Sequence, residues 1–289
     1  MHHSRYRAAG PGEAGMRIYI SADIEGIVGV VSRDQLMPEG FEYENARRWM
    51  TDTVVHACEA AHEEGVEEVI LSDSHGNGES ILIDRLPDYV QVVRSWPRPL
   101  MMMQGVELGS FVGAMLLGYH AGASHPGGVL SHTIGGTAFA EVRINGIVMP
   151  EAGINAAIAG HFDVPVLLAS GDNIALDEIK ARIGDIVTVP VKQVYSTQSA
   201  ISLTPAVAHR RIREGVKTAL ARAGGAKPFK LENPTLEIVF RNRLPAEYLS
   251  YLKGVERTDG YTIRYQGDDM IDVSRFIQFV VGYNSRLTF

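Results

Sequence analysis

The sequence predicts an α/β fold, a mostly parallel sheet flanked by helices with a smaller C-terminal α+β subdomain. Three observations predict it. Stretches that read as strands recur at 17–22, 66–71, 113–119 and 164–169, the last two as continuous apolar runs. They alternate with helically spaced stretches, the pattern of βαβ units around a buried parallel sheet. Beyond about residue 185 the character shifts to shorter strands and helices in an α+β order.

The elements follow in chain order. The first 15 residues, MHHSRYRAAGPGEAG, have no apolar stretch of the signal-peptide kind and read as a polar extension that includes His2 and His3. The folded part is expected from Met16, with a first strand over 17–22. Residues 44–63 have helical spacing, with Trp49, Val54, Val55, Cys58 and Ala61 able to share a face and Gly65 as a stop. Strands follow at 66–71 and 113–119. In "AEVRINGIVM", 140–149, residues alternate on both sides of Asn145-Gly146, a strong hairpin signal. Pro150 then leads into a helix over 151–159, and 164–169 is a further buried strand. The tail reads as strand 185–196, amphipathic helix 204–223, linker "GGAKP", strand 235–241, helix 245–252, strand 261–266 and helix 269–281. The expected division is an extension at 1–15, an α/β domain at 16–200 and the C-terminal subdomain at 201–289.

Composition narrows the function classes. Of 289 residues, 45% are hydrophobic and 21% charged, which is ordinary for a globular chain with a sizeable core. The formal net charge of −7 and the lack of a dense basic run argue against a nucleic-acid or anionic-membrane partner. No apolar run approaches the roughly 18 residues of a spanning helix. The single cysteine, Cys58, permits no disulfide within the chain and fits a small buried hydrophobe in a reduced, cytoplasmic protein.

The chemistry gathers at strand ends. The first strand closes on "SADIEG", 21–26, which places Asp23 and Glu25 on one side of an extended segment, with Gly26 expected to let the chain turn away. Ionised carboxylates are costly there unless something compensates them. The second strand is followed by "SDSHGNG", with Asp73 and His75, and the third by "GYHAGAS", with His120. Ligands of open α/β sheets bind just outside the carboxyl ends of the strands. Taken singly, each residue has an ordinary reading: a turn acid, an exposed histidine or, for Glu151 after Pro150, a helix-start carboxylate. Together they put metal-type ligands on one sheet edge.

From Met16 to near the C-terminus the chain resembles the DppA-type zinc D-aminopeptidases. The resemblance rests on "SADIEG", "DSHG", "GYHAGAS", "LSHT" and "PEAGINA", in that order, with "DVPVLLASGD" and "VKQ" after them. It implies two zinc ions held by Asp23, Glu25, His75, His120 and Glu151. Asp23 would bridge, with Glu25 and His75 completing one site and His120 and Glu151 the other. It implies a catalytic histidine at His132, acting as general acid/base or oxyanion donor; the plainer reading is a histidine bracing its loop. Asp73 would orient an imidazole or the loop, and Asn155 would touch substrate or cap local structure. One departure is visible: between His120 and His132 lies "AGASHPGGVLS", with His125 and an extra glycine.

The implied activity is release of N-terminal residues from short peptides containing D-amino acids, of the D-Ala-D-Ala kind, by a homodecamer. An alternative is another two-metal hydrolase on the same scaffold, acting on L-peptides, amides or phosphoesters. Nitrogen and carboxylate ligands without thiolate suit catalytic zinc.

Overall fold

A computed structural model describes residues 15–283. The extension expected at 1–15 therefore lies, but for Gly15, outside the described residues. The chain runs β1 (Met16–Ala22), α1 (Tyr43–Glu63), β2 (Val66–Asp73), β3 (Val90–Val93), β4 (Ala114–Tyr119), β5 (Phe139–Ile144), β6 (Ile147–Val148), α2 (Glu151–His161), β7 (Val166–Asp172) and α3 (Asn173–Ile183). It continues through β8 (Val187–Ser196), β9 (Ser199–Ser202), α4 (Pro205–Arg222), β10 (Thr235–Phe240), α5 (Arg243–Leu249), β11 (Val255–Arg257), β12 (Thr262–Gln266) and α6 (Met270–Gly282).

The larger sheet has the order β3-β2-β1-β4-β7-β8-β9 and is parallel except for β9. β1 therefore pairs with β2 on one side and β4 on the other. Chain connectivity reverses direction at β1, so a crevice opens at the carboxyl ends of β1, β2 and β4. Side chains of β1 alternate between two cores, as strand geometry requires. Ile18, Ile20 and Ala22 join a core built with α1 and α4, whereas Tyr19 joins one built with α2 and α3.

The helix predicted at 44–63 is present, with its buried stripe centred on Met50, Val54, Ala57, Cys58 and Ala61. Trp49 and Val55 flank that stripe half-buried. The Asn145-Gly146 hairpin forms as expected, both residues adopting positive φ, 53° and 75°.

Its placement differs from the expected division. β5 and β6 join β10, β11 and β12 in the smaller antiparallel sheet, of order β11-β12-β10-β5-β6. That sheet shares one core with α2 and β4 through Phe139, Val142, Ile238 and Ile263. α4, by contrast, packs on α1 and the large sheet. The boundary between sheets therefore does not fall at residue 200: a segment from the middle of the chain completes the smaller one. α3 was not anticipated, although Asp172 caps it by accepting from the Ala175 amide at 2.9 Å.

Candidate metal centre

Six of the eight candidate residues meet at the crevice. Asp23 and Glu25 follow β1, His75 follows β2 and His120 follows β4, while Glu151 opens α2. Asp23, Glu25, His75, His120 and Glu151 are all buried. His132 arrives from the long loop after β4, which folds back on itself. The His132 amide donates to the Ala121 carbonyl at 3.2 Å, Val129 donates to Asp172 Oδ2 at 3.1 Å, and Leu130 donates to the Thr197 carbonyl at 2.9 Å. The His132 ring consequently stacks on His120, centroids 4.1 Å apart.

Asp23 sits between the two halves of the cluster. Its Oδ1 lies 3.4 Å from His75 Nδ1 and its Oδ2 3.4 Å from His120 Nε2. Glu25 Oε2 is 3.1 Å from His75 Nδ1, and Glu151 Oε2 is 3.4 Å from His120 Nε2. His132 Nε2 faces Glu151 Oε1 at 3.7 Å and Glu25 Oε1 at 3.9 Å. Ligand-type atoms thus gather in two groups, Asp23–Glu25–His75 and His120–His132–Glu151.

Backbone partners set the imidazole tautomers. His75 Nε2 donates to the Leu36 carbonyl at 2.8 Å, so Nδ1, which faces Glu25 Oε2 at 3.1 Å, is the nitrogen free to ligate once its proton is displaced. His120 Nδ1 donates to the Ala121 carbonyl at 3.0 Å, and His132 Nδ1 donates to the Leu130 carbonyl at 2.9 Å. Both therefore present Nε2 to the cluster. His120 Nε2 is fully buried and has no hydrogen-bond partner. Three carboxylates, inward lone pairs and a buried orphan nitrogen are a donor set that fits divalent zinc.

The electrostatics have the same origin. Burial, then the Glu25 charge, pushes the Asp23 carboxyl up. Burial also opposes ionisation of Glu25, but the His75, His132 and His120 imidazoles outweigh it and hold that carboxyl well below its usual range. For Glu151 the same contest is won by His120 and His132, so its pKa falls. Burial disfavours the His75 and His120 cations, yet the facing carboxylates raise both well above the ordinary value. Metal binding to such a cluster exchanges these protons for a stronger cation.

The other two candidates lie beneath. Asp73 touches no imidazole: Oδ2 accepts from the Ile81 amide at 2.7 Å, and its carbonyl accepts from Arg98 at 2.9 Å. It braces the loop that carries His75. Asn155 is 1% exposed and donates to Tyr119 Oη at 2.8 Å, within a network including Ser21 and the Met102 carbonyl. It is not among the residues that line the cavity, and the bonds it makes are to the network beneath the cluster. His125 accepts from the Gly127 amide in its own turn, outside the cluster.

Gly26 lies in the turn expected of it, closed by the Ile27 amide donating to the Ile24 carbonyl at 3.0 Å, but its φ is not left-handed, so the turn alone does not require glycine. Its amide donates to the Gly118 carbonyl at 2.7 Å, and a Cβ on it would lie 2.1 Å from the Tyr119 carbonyl oxygen. Its role is close approach between the segments that carry Glu25 and His120.

Sequence reasoning gave no role to Lys192, although it lies in "VKQ". The buried ammonium donates to the Glu25 carbonyl and, at 2.6 Å, to the Val30 carbonyl. Burial pulls its pKa down to about 8. Glu178 was missed too; it accepts from the Gly122 amide at 2.8 Å and steadies the turn after His120. Both partners are distant in the chain, but each residue leaves a local trace, a charge in an otherwise apolar strand or helix face.

A cavity of about 710 Å³ opens over the cluster, walled partly by Met101, Met102, Leu130 and Ile134. Its size suits a small ligand.

Residues 16–279 match the family described as D-aminopeptidase. The D-aminopeptidase of Bacillus subtilis (strain 168) is 34% identical over 263 residues, which span 89% of this chain and 93% of that protein. A solved structure described as the Zn-dependent D-aminopeptidase DppA from Bacillus subtilis, a self-compartmentalizing protease, matches with a TM-score of 0.89 at 32% identity. It covers 95% of this chain and 100% of that chain.

Proposed function

The chain belongs to the D-aminopeptidase family, and from that premise we propose that it is a two-zinc aminopeptidase acting on short peptides that carry D-amino acids, of the D-Ala-D-Ala kind. The observation that carries the two-metal reading is Asp23, whose two oxygens each face a different histidine at 3.4 Å. Asp23 would bridge, Glu25 and His75 would complete one site, and His120 and Glu151 the other. The chemistry zinc supplies when bound is polarisation of the scissile carbonyl and activation of water near neutral pH.

The chain's own residues do the rest. The Leu36, Ala121 and Leu130 carbonyls fix the imidazoles, so the donor geometry is set before substrate arrives. His132 holds a proton-transfer position: its Nδ1–H is committed to Leu130, and its Nε2 faces the cluster with the side chain 24% exposed. From there Nε2 can take a proton from the attacking water or return one to the leaving amine. Met101, Met102, Leu130 and Ile134 restrict water around the peptide.

His132 also lies within ligand reach of His120 and Glu151, which favours a second reading in which it binds metal. Its partial exposure, against the near-complete burial of the other five, supports the proton-transfer role.

Assembly into a homo-oligomer, a decamer by family resemblance, is part of the reading. It is supported by the relative's description as self-compartmentalizing and by exposed Leu244, Tyr248, Tyr251 and Tyr261 on the smaller unit. No helix among the described residues is long and apolar enough to cross a membrane; a cytoplasmic location remains part of the proposal.

The test combines metal analysis with turnover of paired D- and L-aminoacyl peptides and a phosphoester. Two zincs per chain and preference for the D-peptides are expected, with His120→Ala losing both zinc and turnover while staying folded. Preference for the phosphoester, or an unchanged His120→Ala variant, would overturn the assignment.

A further inference from the structure

We propose that Arg33 binds the C-terminal carboxylate of a short peptide lying in the metal cavity, and so selects free-carboxylate substrates over amides and longer chains. The proposal rests on the aminopeptidase reading and names a specificity element within that site.

Arg33 opens a 3-10 turn, Arg33–Gln35, with a capping box between Ser32 and Gln35. Gln35 is 3% exposed and is the anchor of the segment. Its Oε1 accepts from the Val31 amide at 2.7 Å and the Ser32 amide at 3.0 Å; its Nε2 donates to the Gly29 carbonyl at 2.9 Å and Glu42 Oε2 at 2.8 Å. The next residue, Leu36, gives its carbonyl to His75 Nε2. The turn that presents Arg33 is therefore tied at its base to the chain and at its end to the metal cluster. Arg33, Leu36 and Met37 all line the cavity.

Two observations point to an anion. Arg33 is the only lysine or arginine in the cavity wall among the described residues, where the acids are Asp23, Glu25 and Glu151. Its guanidinium makes no hydrogen bond or ion pair with any described residue, although Asp34, Glu39 and Glu42 lie in the same segment. Among the described residues Arg17, Arg47, Arg85, Arg143, Arg213, Arg257 and Arg264 are each paired with a carboxylate, whereas Arg33, Arg94, Arg210, Arg222, Arg243 and Arg275 are not, and of these six only Arg33 lines the cavity. The cavity thus carries an acidic end and a single unengaged cation on its wall.

An unblocked short peptide has the matching polarity. Its scissile bond and N-terminal ammonium belong at the acidic cluster, and its carboxylate falls farther along the wall. A guanidinium fork suits a carboxylate through two parallel hydrogen bonds. A peptide amide, or a longer chain, offers no charge at that point.

The experiment compares zinc-loaded wild type, Arg33→Gln and Arg33→Lys on a dipeptide and its amide, in whichever stereochemical series the wild type cleaves. Arg33→Gln is expected to lower kcat/KM for the dipeptide by about 10- to 100-fold, chiefly through KM, and to lower it far less for the amide. Arg33→Lys should recover part of the loss, and added salt should erode the wild-type preference for the dipeptide. Zinc content and thermal midpoint should match the wild type. Equal losses on both substrates, or no loss on the dipeptide, would overturn the role of Arg33. A zinc-loaded wild type that cleaves neither would overturn the aminopeptidase reading and this one with it.

Discussion

Replacing Gly26 with alanine tests how the two halves of the metal centre are held together. A Cβ at residue 26 would stand 2.1 Å from the Tyr119 carbonyl oxygen and 2.4 Å from the Gly118 carbonyl carbon. Ordinary contact begins near 3.4 Å, so the gap must open by 1.3 Å, the difference between 3.4 and 2.1. Neither side can yield through a flexible side chain, because both obstacles are backbone. The two segments also approach closely at Gly118, where an added Cβ would lie 2.2 Å from the Asp23 carbonyl oxygen, so there is no slack between them. The displacement therefore moves Asp23 and Glu25 relative to His120, across ligand contacts of 3.4 Å. Overpacking of this kind costs about 1–3 kcal/mol, and misplacing a catalytic group by 1 Å can cost about 100-fold in rate. A drop of roughly 2–10 °C in thermal midpoint, weaker zinc retention on dialysis against a chelator and a loss of about 100-fold in kcat/KM are expected. Gly224→Ala is the control, because nothing lies within 4 Å of its Cβ position. If Gly26→Ala keeps its zinc, its midpoint and its turnover, like that control, then close approach is not what holds the centre together.

On the proposed reading, His132→Gln should keep the wild-type zinc content and lose roughly 100- to 10,000-fold in kcat; a lower zinc content, read by elemental analysis, would make His132 a ligand instead. His209 is buried on α4, where its ring lies 4.6 Å from that of His56 on α1, with Asp52, Glu59 and Arg213 nearby. Burial and His56 lower its folded pKa, so the unfolded chain takes up the proton first as pH falls, and stability drops below about pH 6.5. Urea midpoints at pH 8 and 5.5 should differ more for the wild type than for His209→Gln; equal differences would remove His209 as the cause. The buried Cys58 thiol, pushed up to about 12, should resist iodoacetamide in the folded protein and react in denaturant, as mass spectrometry would read. Alkylation at the same rate in both states would refute its burial.

Much of the centre was legible because a buried parallel strand and the ligand at its end are neighbours in the chain. The apolar runs before Asp23, His75 and His120 mark three strands, and sheet geometry alone sends their carboxyl ends to one edge. Glu151 was less legible, since a carboxylate after Pro150 is also ordinary helix-start chemistry. α3 is bracketed by its own local signals, the Asp172 cap and Gly184 at its end, although it carries no apolar stripe as clear as that of α1.

By itself the sequence determined the α/β class, the central strands and the residue types at their ends, because periodicity and local turn chemistry are written in adjacent positions. Only the tertiary structure decided that β5 and β6 complete the C-terminal sheet, that His132 returns to stack on His120, and that Lys192 grips the Glu25 carbonyl from 167 residues away. It also made the turn at Gly26 a point of close contact with Tyr119, 93 positions along the chain. Strand partners, close backbone approach and buried charge pairing depend on what lies opposite in space, and no local pattern specifies that partner.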